Sequence, residues 1–454
     1  MKCKIRKIVA LMALLLPIAV TMSGCRTYDN FKDAFFTKAS DEKEVSIGVI
    51  EPLSGNNETM GKLELQGIEI AHQLRPKVNG KSVRLMVVDN QSSVYAAEAA
   101  AKDLVARNAI GVIGSYGDAV TLAAAGIFKE AKIPAIACST SNPLIISKNH
   151  YYFSLNSGDY WDGQASAMFF EEGLNLKKAA LIWDEDPSKK EIIEGFSRYF
   201  KEKNGNESIV NINIDKTTDY RQLVESLVEQ KITGVFAPIS TEYGRKLIEA
   251  SSLYLKDLLL KESQITNSVT TVGAVESEGD INKIKTSIND VKSLVYLGDW
   301  MWNSPEMEDI SKTYSKINVV VPGDYNVKDS SATVDTSVNN DKEEQQLKEA
   351  NEKLRKKFNK EYEKKYQIEP TIESARAFDA YNLLLDALEN SKGKGNEALV
   401  KSILLTRKNT GLTGPIKFSD KGEAIKPVKF YFIKDGEYKP AFVITGEVPN
   451  QEKN

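Results

Sequence analysis

The chain has 454 residues and a formal charge of −3, and 41% of its residues are hydrophobic. This length exceeds what one hydrophobic core usually serves, so at least two domains are expected. Four of the 60 basic residues and none of the 63 acidic residues lie in positions 1–24. The remaining chain therefore has 56 basic and 63 acidic residues, a charge of −7. A nucleic-acid partner would need a basic face, so the composition argues against one.

Residues 1–24 have the pattern of a signal peptide. Basic residues precede the apolar run Ile8–Val20, and the small residues Ser23 and Gly24 follow it. The run is shorter than the roughly 20 residues that a spanning helix needs. The segment Met22–Cys25 resembles a bacterial lipobox, which predicts that Cys25 is lipidated and anchors the protein to a membrane. Plain cleavage to a free protein is the alternative.

Two series of alternating strands and helices follow a polar tether at residues 25–44. The predicted strands of the first series are Val45–Ile50, Val83–Val88, Ile110–Ile113 and Ile133–Ala137. Those of the second series are Ala179–Ile182, Ile209–Ile214, Gly234–Pro238 and Leu294–Leu297. Helical patterns lie between them with short connections, which predicts two α/β units with doubly wound parallel sheets.

The rest of the chain is less regular. Gln264–Lys292 is polar, and Thr270–Val272 is its only strand-like run, so we interpret the segment as an insertion. Lys342–Tyr366 has the pattern of a charged helix and Thr371–Leu388 that of a more buried one. A hairpin of Val428–Ile433 and Pro440–Val443 is predicted to close the fold.

The residue content argues against an enzyme. The chain has only two histidines, His72 and His150, and contains no GxSxG, HExxH, CxxC or Walker sequence. Cys138 would be the lone thiol after lipidation of Cys25, and its place at the end of an apolar strand predicts a packing role. We therefore expect no catalytic residue, no cofactor and no metal site.

Polar and aromatic residues recur at the carboxyl ends of the predicted strands. In open α/β sheets ligands bind beyond these ends, and clefts between domains are preferred sites. The candidate ligand-binding residues are Tyr116, Asp118, Ser139, Thr140 and Ser141 in the first unit, and Asp159, Trp161, Ser240 and Trp300 in the second. Two of them have structural alternatives, since Ser141 could cap a helix and Asp118 could be an acid at a helix start.

The segments IGVIEPLSG, VVDNQSS, IGSYGDAVTLAAA, IPAIACSTSNPLI, FSLNSGDYWDGQ, YLGDWMWNSPE and GLTGPIKFSDKGE occur in this order. Together they resemble the branched-chain amino acid (Leu/Ile/Val) type of periplasmic substrate-binding protein, over most of residues 45–445. The resemblance implies two Rossmann-like lobes with parallel sheets, joined by three crossover strands. Lobe one would comprise residues 45–157 and 327–414, and lobe two residues 158–326 and 415–446, with a tail at 447–454.

The resemblance also implies a function. Such proteins close on a small ligand and deliver it to an ABC permease, here from a lipid anchor on the extracytoplasmic face of the cell membrane. Ser139 and Ser141 fall on positions where the family holds the ligand's carboxylate, and Asp159 matches an acid after the first crossover. Asp118 replaces a carboxylate-binding serine, and Trp300 replaces an acid that reads the ammonium group.

These departures leave the ligand open between an amino acid and a related small polar molecule with a cationic or hydrogen-bond-donor group facing Asp118. Tyr116, Trp161 and Trp300 would enclose it. The alternative function is a ligand-sensing surface receptor of the same fold that signals through a partner.

Overall fold

The structure is a computed structural model that describes residues 44–140, 143–146, 149–272, 277–323, 325, 341–408, 410–419 and 422–445. The predicted signal peptide, Cys25, most of the tether, Ser141 and the predicted tail lie outside these residues. Statements about the fold below refer to the described ranges.

The first sheet has six strands in the order β2-β3-β1-β4-β5-β6. They are β1 (Glu44–Glu51), β2 (Lys77–Val78), β3 (Lys81–Asp89), β4 (Val112–Ile113), β5 (Ala135–Ala137) and β6 (Tyr152–Ser154). All neighbours are parallel except β2 and β3. The helices that connect them are α1 (Glu58–Leu74), α2 (Val94–Ala106), α3 (Asp118–Glu130) and the short α4 (Pro143–Ile146). We call the part built around this sheet lobe one.

The second sheet has seven strands in the order β16-β15-β11-β10-β9-β7-β8. They are β7 (Ala179–Trp183), β8 (Ile209–Asn213), β9 (Gly234–Ala237), β10 (Val295–Gly298), β11 (Asn318–Gly323), β15 (Val428–Lys434) and β16 (Glu437–Ile444). The first five are parallel, and β15 and β16 add the predicted antiparallel hairpin. Its helices are α5 (Asp159–Met168), α6 (Lys190–Asn204), α7 (Tyr220–Glu229), α8 (Thr241–Val272), α9 (Ser277–Ser293) and α10 (Pro305–Thr313). This part is lobe two.

The chain passes between the lobes three times. It leaves lobe one after β6 and returns after β11 to form α11 (Asp341–Tyr366), α12 (Ile372–Ser391) and α13 (Asn396–Leu404), which pack into the core of lobe one. It leaves again through a small sheet of β12 (Arg407–Lys408), β13 (Ile416–Phe418) and β14 (Ala424–Ile425). The predicted fold of two parallel-sheet lobes is thus confirmed, while the lobe boundaries at 157/158, 326/327 and 414/415 stay predictions.

The prediction of a strand-like run at Thr270–Val272 is wrong. This run ends the long helix α8, and α9 follows after a short gap in the described residues. The two helices pack together and bury Leu255, Leu258, Ile288 and Val291 in the core of lobe two. Leu255 and Leu258 are three residues apart, as are Ile288 and Val291, and this spacing puts both members of a pair on one face of a helix. β-Branched residues favour a strand only beside a pairing strand, and the neighbour here is a helix.

Helices α5 and α6 approach each other through glycine. A Cβ atom on Gly163 of α5 would lie 2.1 Å from the Ile192 carbonyl oxygen, and one on Gly195 of α6 would lie 2.0 Å from the Tyr160 carbonyl oxygen. Because no side-chain carbon fits at these distances, the two backbones are in direct contact. The contact fixes α5, which begins at Asp159, immediately after the first crossover.

We predict that Gly195→Ala destabilises the protein by about 1–3 kcal/mol, since overpacking forces α5 and α6 apart. This corresponds to a fall of at least about 2 °C in Tm, measured by thermal unfolding. The matched control is Gly126→Ala in α3, which is exposed and has no atom within 4 Å of the new Cβ. The control should stabilise the helix by about 0.5–1 kcal/mol. Equal effects of the two substitutions would contradict this account of the packing.

Candidate functional site

Two carboxyl groups lie beneath the carboxyl edge of the first sheet. Glu51 is the last residue of β1. The order of the strands reverses direction between β1 and β4. In open α/β sheets, ligands bind at such a reversal point. Glu64 comes from the buried face of α1. Both residues are completely buried, and Glu51 Oε2 accepts the Tyr116 backbone N–H at 2.9 Å.

Burial raises the pKa of both carboxyl groups, and the negative charge of Glu64 raises that of Glu51 further. The two side chains are hydrogen-bonded to each other. Glu51 Oε1 and Glu64 Oε2 have no other hydrogen-bond partner. One proton shared between these oxygens would satisfy both atoms, and the raised pKa values of both groups favour that form.

The predicted hydroxyl residues after β5 are bonded to acids. The Ser139 hydroxyl donates to Glu64 Oε1, and the Thr140 hydroxyl donates to Asp118 Oδ1. Ser139 is half-buried, Thr140 is buried and Asp118 is exposed at the first position of α3. The structure therefore brings Asp118, Ser139 and Thr140 to one edge of lobe one, with the predicted residue Tyr116 beside them.

The carboxyl edge of the second sheet, in lobe two, lies next to helix α12 of lobe one. The Trp300 ring follows β10 and lies 5.1 Å from the guanidinium of Arg376, which belongs to α12 of lobe one and is 7% exposed. The Trp300 indole N–H donates to Asp162 Oδ2 at 2.5 Å, and the Ser157 hydroxyl donates to Asp162 Oδ1 at 2.7 Å. Burial, with the negative charge of Asp159, raises the pKa of Asp162 to about 8.

The remaining predicted residues have different surroundings. Trp161 is buried in the core of lobe two, and its indole N–H donates to the Lys426 carbonyl oxygen at 3.1 Å, which is a packing role. The Ser240 hydroxyl accepts the Tyr243 backbone N–H at 3.3 Å near the start of α8. Asp159 is half-buried at the start of α5. Ligand contact by the nine predicted residues stays a prediction.

Sequence reasoning missed Glu51, Glu64, Asp162 and Arg376. A signal was available for two of them, because Glu64 and Arg376 occur at buried positions of helices whose apolar spacing was recognised. An ionisable residue on an apolar helix face is rarely buried without a partner. Asp162 lies one turn after Asp159 on α5, but nothing in its spacing indicates that Trp300 would cover it.

Comparisons with known proteins agree with this architecture. Residues 44–250 match a family model described as "periplasmic binding protein". A segment of 148 residues is 28% identical to an "amino acid binding protein" of Pseudomonas aeruginosa and covers 32% of this chain and 40% of that protein. The chain thus aligns with less than half the length of this curated relative.

Solved structures resemble nearly the whole chain. A leucine-binding protein from Thermotoga maritima superposes with a TM-score of 0.59 and 23% identity, over 88% of this chain and 99% of that one. A putative branched-chain amino acid ABC transporter protein from Rhodospirillum rubrum superposes with a TM-score of 0.66 and 16% identity, over 87% of this chain and 99% of that one. A solute-binding protein from R. palustris in complex with benzoate superposes with a TM-score of 0.56 and 18% identity, over 90% of this chain and 100% of that one.

The chain has the fold of a type I periplasmic binding protein. Of the solved relatives named above, one is described as a leucine-binding protein and two as ABC transporter proteins. In the described part of the chain, no helix combines the length and the apolar character needed to cross a membrane. The same residues contain no group of three or more His, Cys, Asp or Glu side chains placed to hold a metal ion.

The raised carboxyl pKa values predict that stability falls as pH rises. Unfolded Asp and Glu lose their protons near their ordinary pKa values of 3.8 and 4.5, whereas Asp162 keeps its proton to about pH 8 when folded. Between about pH 5 and 8 the folded state therefore binds more protons than the unfolded state, and the free energy of unfolding decreases. We expect Asp162→Asn to flatten the fall in Tm over this range by at least about 2 °C.

The control for this experiment is Asp186→Asn. Asp186 is exposed, and its hydrogen bonds to Ser188 hold its pKa below the ordinary value, outside the range tested. This variant should keep the pH slope of the native protein. A native Tm that rises from pH 5 to 8, or an unchanged slope in Asp162→Asn, would show that Asp162 is ionised throughout.

Proposed function

We propose that the protein is an extracytoplasmic, lipid-anchored solute-binding protein of an ABC importer. It binds an amino acid or a related small polar ligand between its lobes and presents the closed form to a permease. The observation that supports this proposal is the contact between the Arg376 guanidinium of lobe one and the Trp300 ring of lobe two. The fold supports it, because the relatives named above are described as binding leucine or benzoate or as parts of ABC transporters.

The polar edges of the two sheets suit such a cleft. Lobe one offers Tyr116, Asp118 and Ser139, and lobe two offers Asp159 and Trp300, all at or just beyond carboxyl ends of strands. A ligand that touches both sets has more contacts when the lobes are closed. It therefore shifts the equilibrium toward the closed form by its difference in affinity for the two forms.

The first test is a thermal-shift screen of amino acids, amines, small carboxylates and amides. A ligand that binds only the folded state stabilises it by about 2.7 kcal/mol at a concentration of 100 times Kd, so Tm should rise with ligand concentration. The variant Trp300→Ala removes a side chain from the cleft wall and should weaken the response at least tenfold in Kd. If none of these classes moves Tm, the solute-binding proposal is refuted.

The second test concerns the anchor at Cys25. The mature protein should begin at this cysteine, carry acyl chains and sediment with membranes when expressed in a bacterium, because several chains hold a protein more stably than one. Cys25→Ala should abolish the acylated N-terminal peptide in mass spectrometry and prevent anchoring through processed Cys25. Cys138→Ala is the matched control, since Cys138 is completely buried and should leave the acylation unchanged. A native protein without acyl chains would contradict the anchor alone.

A further inference from the structure

We propose that the lobe-one floor of the cleft binds the positively charged N–H group of its ligand, so that the ligand is a small organic amine or guanidine and needs no carboxylate on that side. This inference rests on the proposed function and names its substrate class. It reverses the polarity that the sequence resemblance implied, in which hydroxyls of lobe one donate to a carboxylate.

The first step is the hydrogen of Ser139. A serine hydroxyl has one hydrogen to donate and two lone pairs to accept with. The Ser139 hydrogen is directed at Glu64 Oε1, and a proton shared with Glu51 would satisfy Glu64 Oε2. Ser139 consequently offers a ligand its lone pairs and no hydrogen.

Thr140 repeats this arrangement. Its single hydroxyl hydrogen is directed at Asp118 Oδ1. The two adjacent hydroxyls that would donate to a carboxylate are therefore both committed to acids of the protein. The edge formed by Ser139, Thr140 and Asp118 presents acceptors, and a ligand group that meets acceptors must donate N–H or O–H bonds.

The charges near this edge also favour a cationic ligand group. Asp118 is exposed, and the negative charges of Glu373, Glu64 and Asp118 act on the Tyr116 hydroxyl against the single positive charge of Arg376. A ligand carboxylate at this edge would face like charges, whereas an ammonium or guanidinium would face opposite ones. The backbone N–H groups at the start of α3 favour an anion, but Asp118 itself occupies the first turn of that helix and offsets its dipole.

Arg376 acts on the same groups from helix α12. Its guanidinium is stacked against Trp300 and attracts the carboxyl groups of both Glu64 and Asp162. The cationic end of a ligand would be repelled from Arg376 and attracted to Asp118. The aromatic rings of Tyr116 and Trp300 are placed to cover the remainder of a small ligand.

The test compares matched fragments of two amino acids by calorimetry at low salt. One set is leucine, 3-methylbutylamine and 4-methylpentanoate; the other is phenylalanine, phenethylamine and 3-phenylpropionate, with agmatine as a guanidine probe. At least one amine or agmatine should bind at least tenfold more tightly than every acid. Tighter binding of an acid than of its amine overturns the inference while leaving the solute-binding function intact. Equal affinity for the amines and the acids overturns it as well. If none of these probes binds while the thermal-shift screen finds another ligand, the inference alone is overturned; if neither experiment finds a ligand, the proposed function fails with it.

Two variants test the mechanism. Ser139→Ala removes the hydroxyl lone pairs that accept from the ligand. Affinity for the amine should fall about tenfold to a hundredfold, the range expected for one charge-assisted hydrogen bond, and affinity for the acid should stay within about twofold. Asp118→Asn is exposed and keeps the acceptor for Thr140, so it tests the charge even where Ser139→Ala fails to fold.

The matched control is Glu69→Gln, which removes a charge from helix α1, the helix that carries Glu64. Glu69 accepts hydrogen bonds from Lys365 and Tyr366, away from Ser139. This variant should leave the ratio of amine to acid affinity within about twofold of the native value. An equal shift of the ratio in all three variants would show a nonspecific effect and overturn the assigned role of Ser139.

Discussion

Glu51 and Glu64 are completely buried and hydrogen-bonded to each other, and two carboxylates this close in a medium of low dielectric cannot both be ionised. The pair therefore favours a form with one shared proton. The pair also holds neighbouring residues in place, because Glu51 accepts the Tyr116 backbone N–H and Glu64 accepts the Ser139 hydroxyl hydrogen. The loops after β4 and β5 are thus tied to β1 and α1 at the point where the sheet changes winding direction. The protonation state of the pair sets which hydrogens the edge of lobe one can present.

The two lobes meet through a second buried set of ionisable groups. Burial near Asp159 raises the pKa of Asp162 to about 8, and this carboxyl group accepts the Trp300 indole N–H. The Arg376 guanidinium stacks against the Trp300 ring. The close glycine contact of α5 with α6 fixes the helix that carries Asp162. Packing, hydrogen bonding and charge therefore converge on the surface where a ligand would bridge the lobes.

The sequence allowed the fold to be predicted well because its signals are local. Alternating apolar strands and amphipathic helices with short connections specify parallel α/β units, and both sheets were found. The error at Thr270–Val272 has the opposite cause, since three β-branched residues carry a strand signal that the helical surroundings of α8 override. Among the candidate site residues, Asp118, Ser139 and Thr140 lie together, whereas Trp161 lies in the core of lobe two.

The sequence by itself determined the parallel α/β lobes, the strand ends that carry polar groups and the residue types available for binding, because period and spacing fix which residues share a sheet edge. Only the tertiary structure decided the chemistry of that edge. Glu64 is 75 positions from Ser139 along the chain, and Trp300 is 138 positions from Asp162. Burial and partner choice at such separations depend on how helices and sheets pack. The direction of a hydroxyl hydrogen and the pKa of a carboxyl group follow from those partners and from no local pattern.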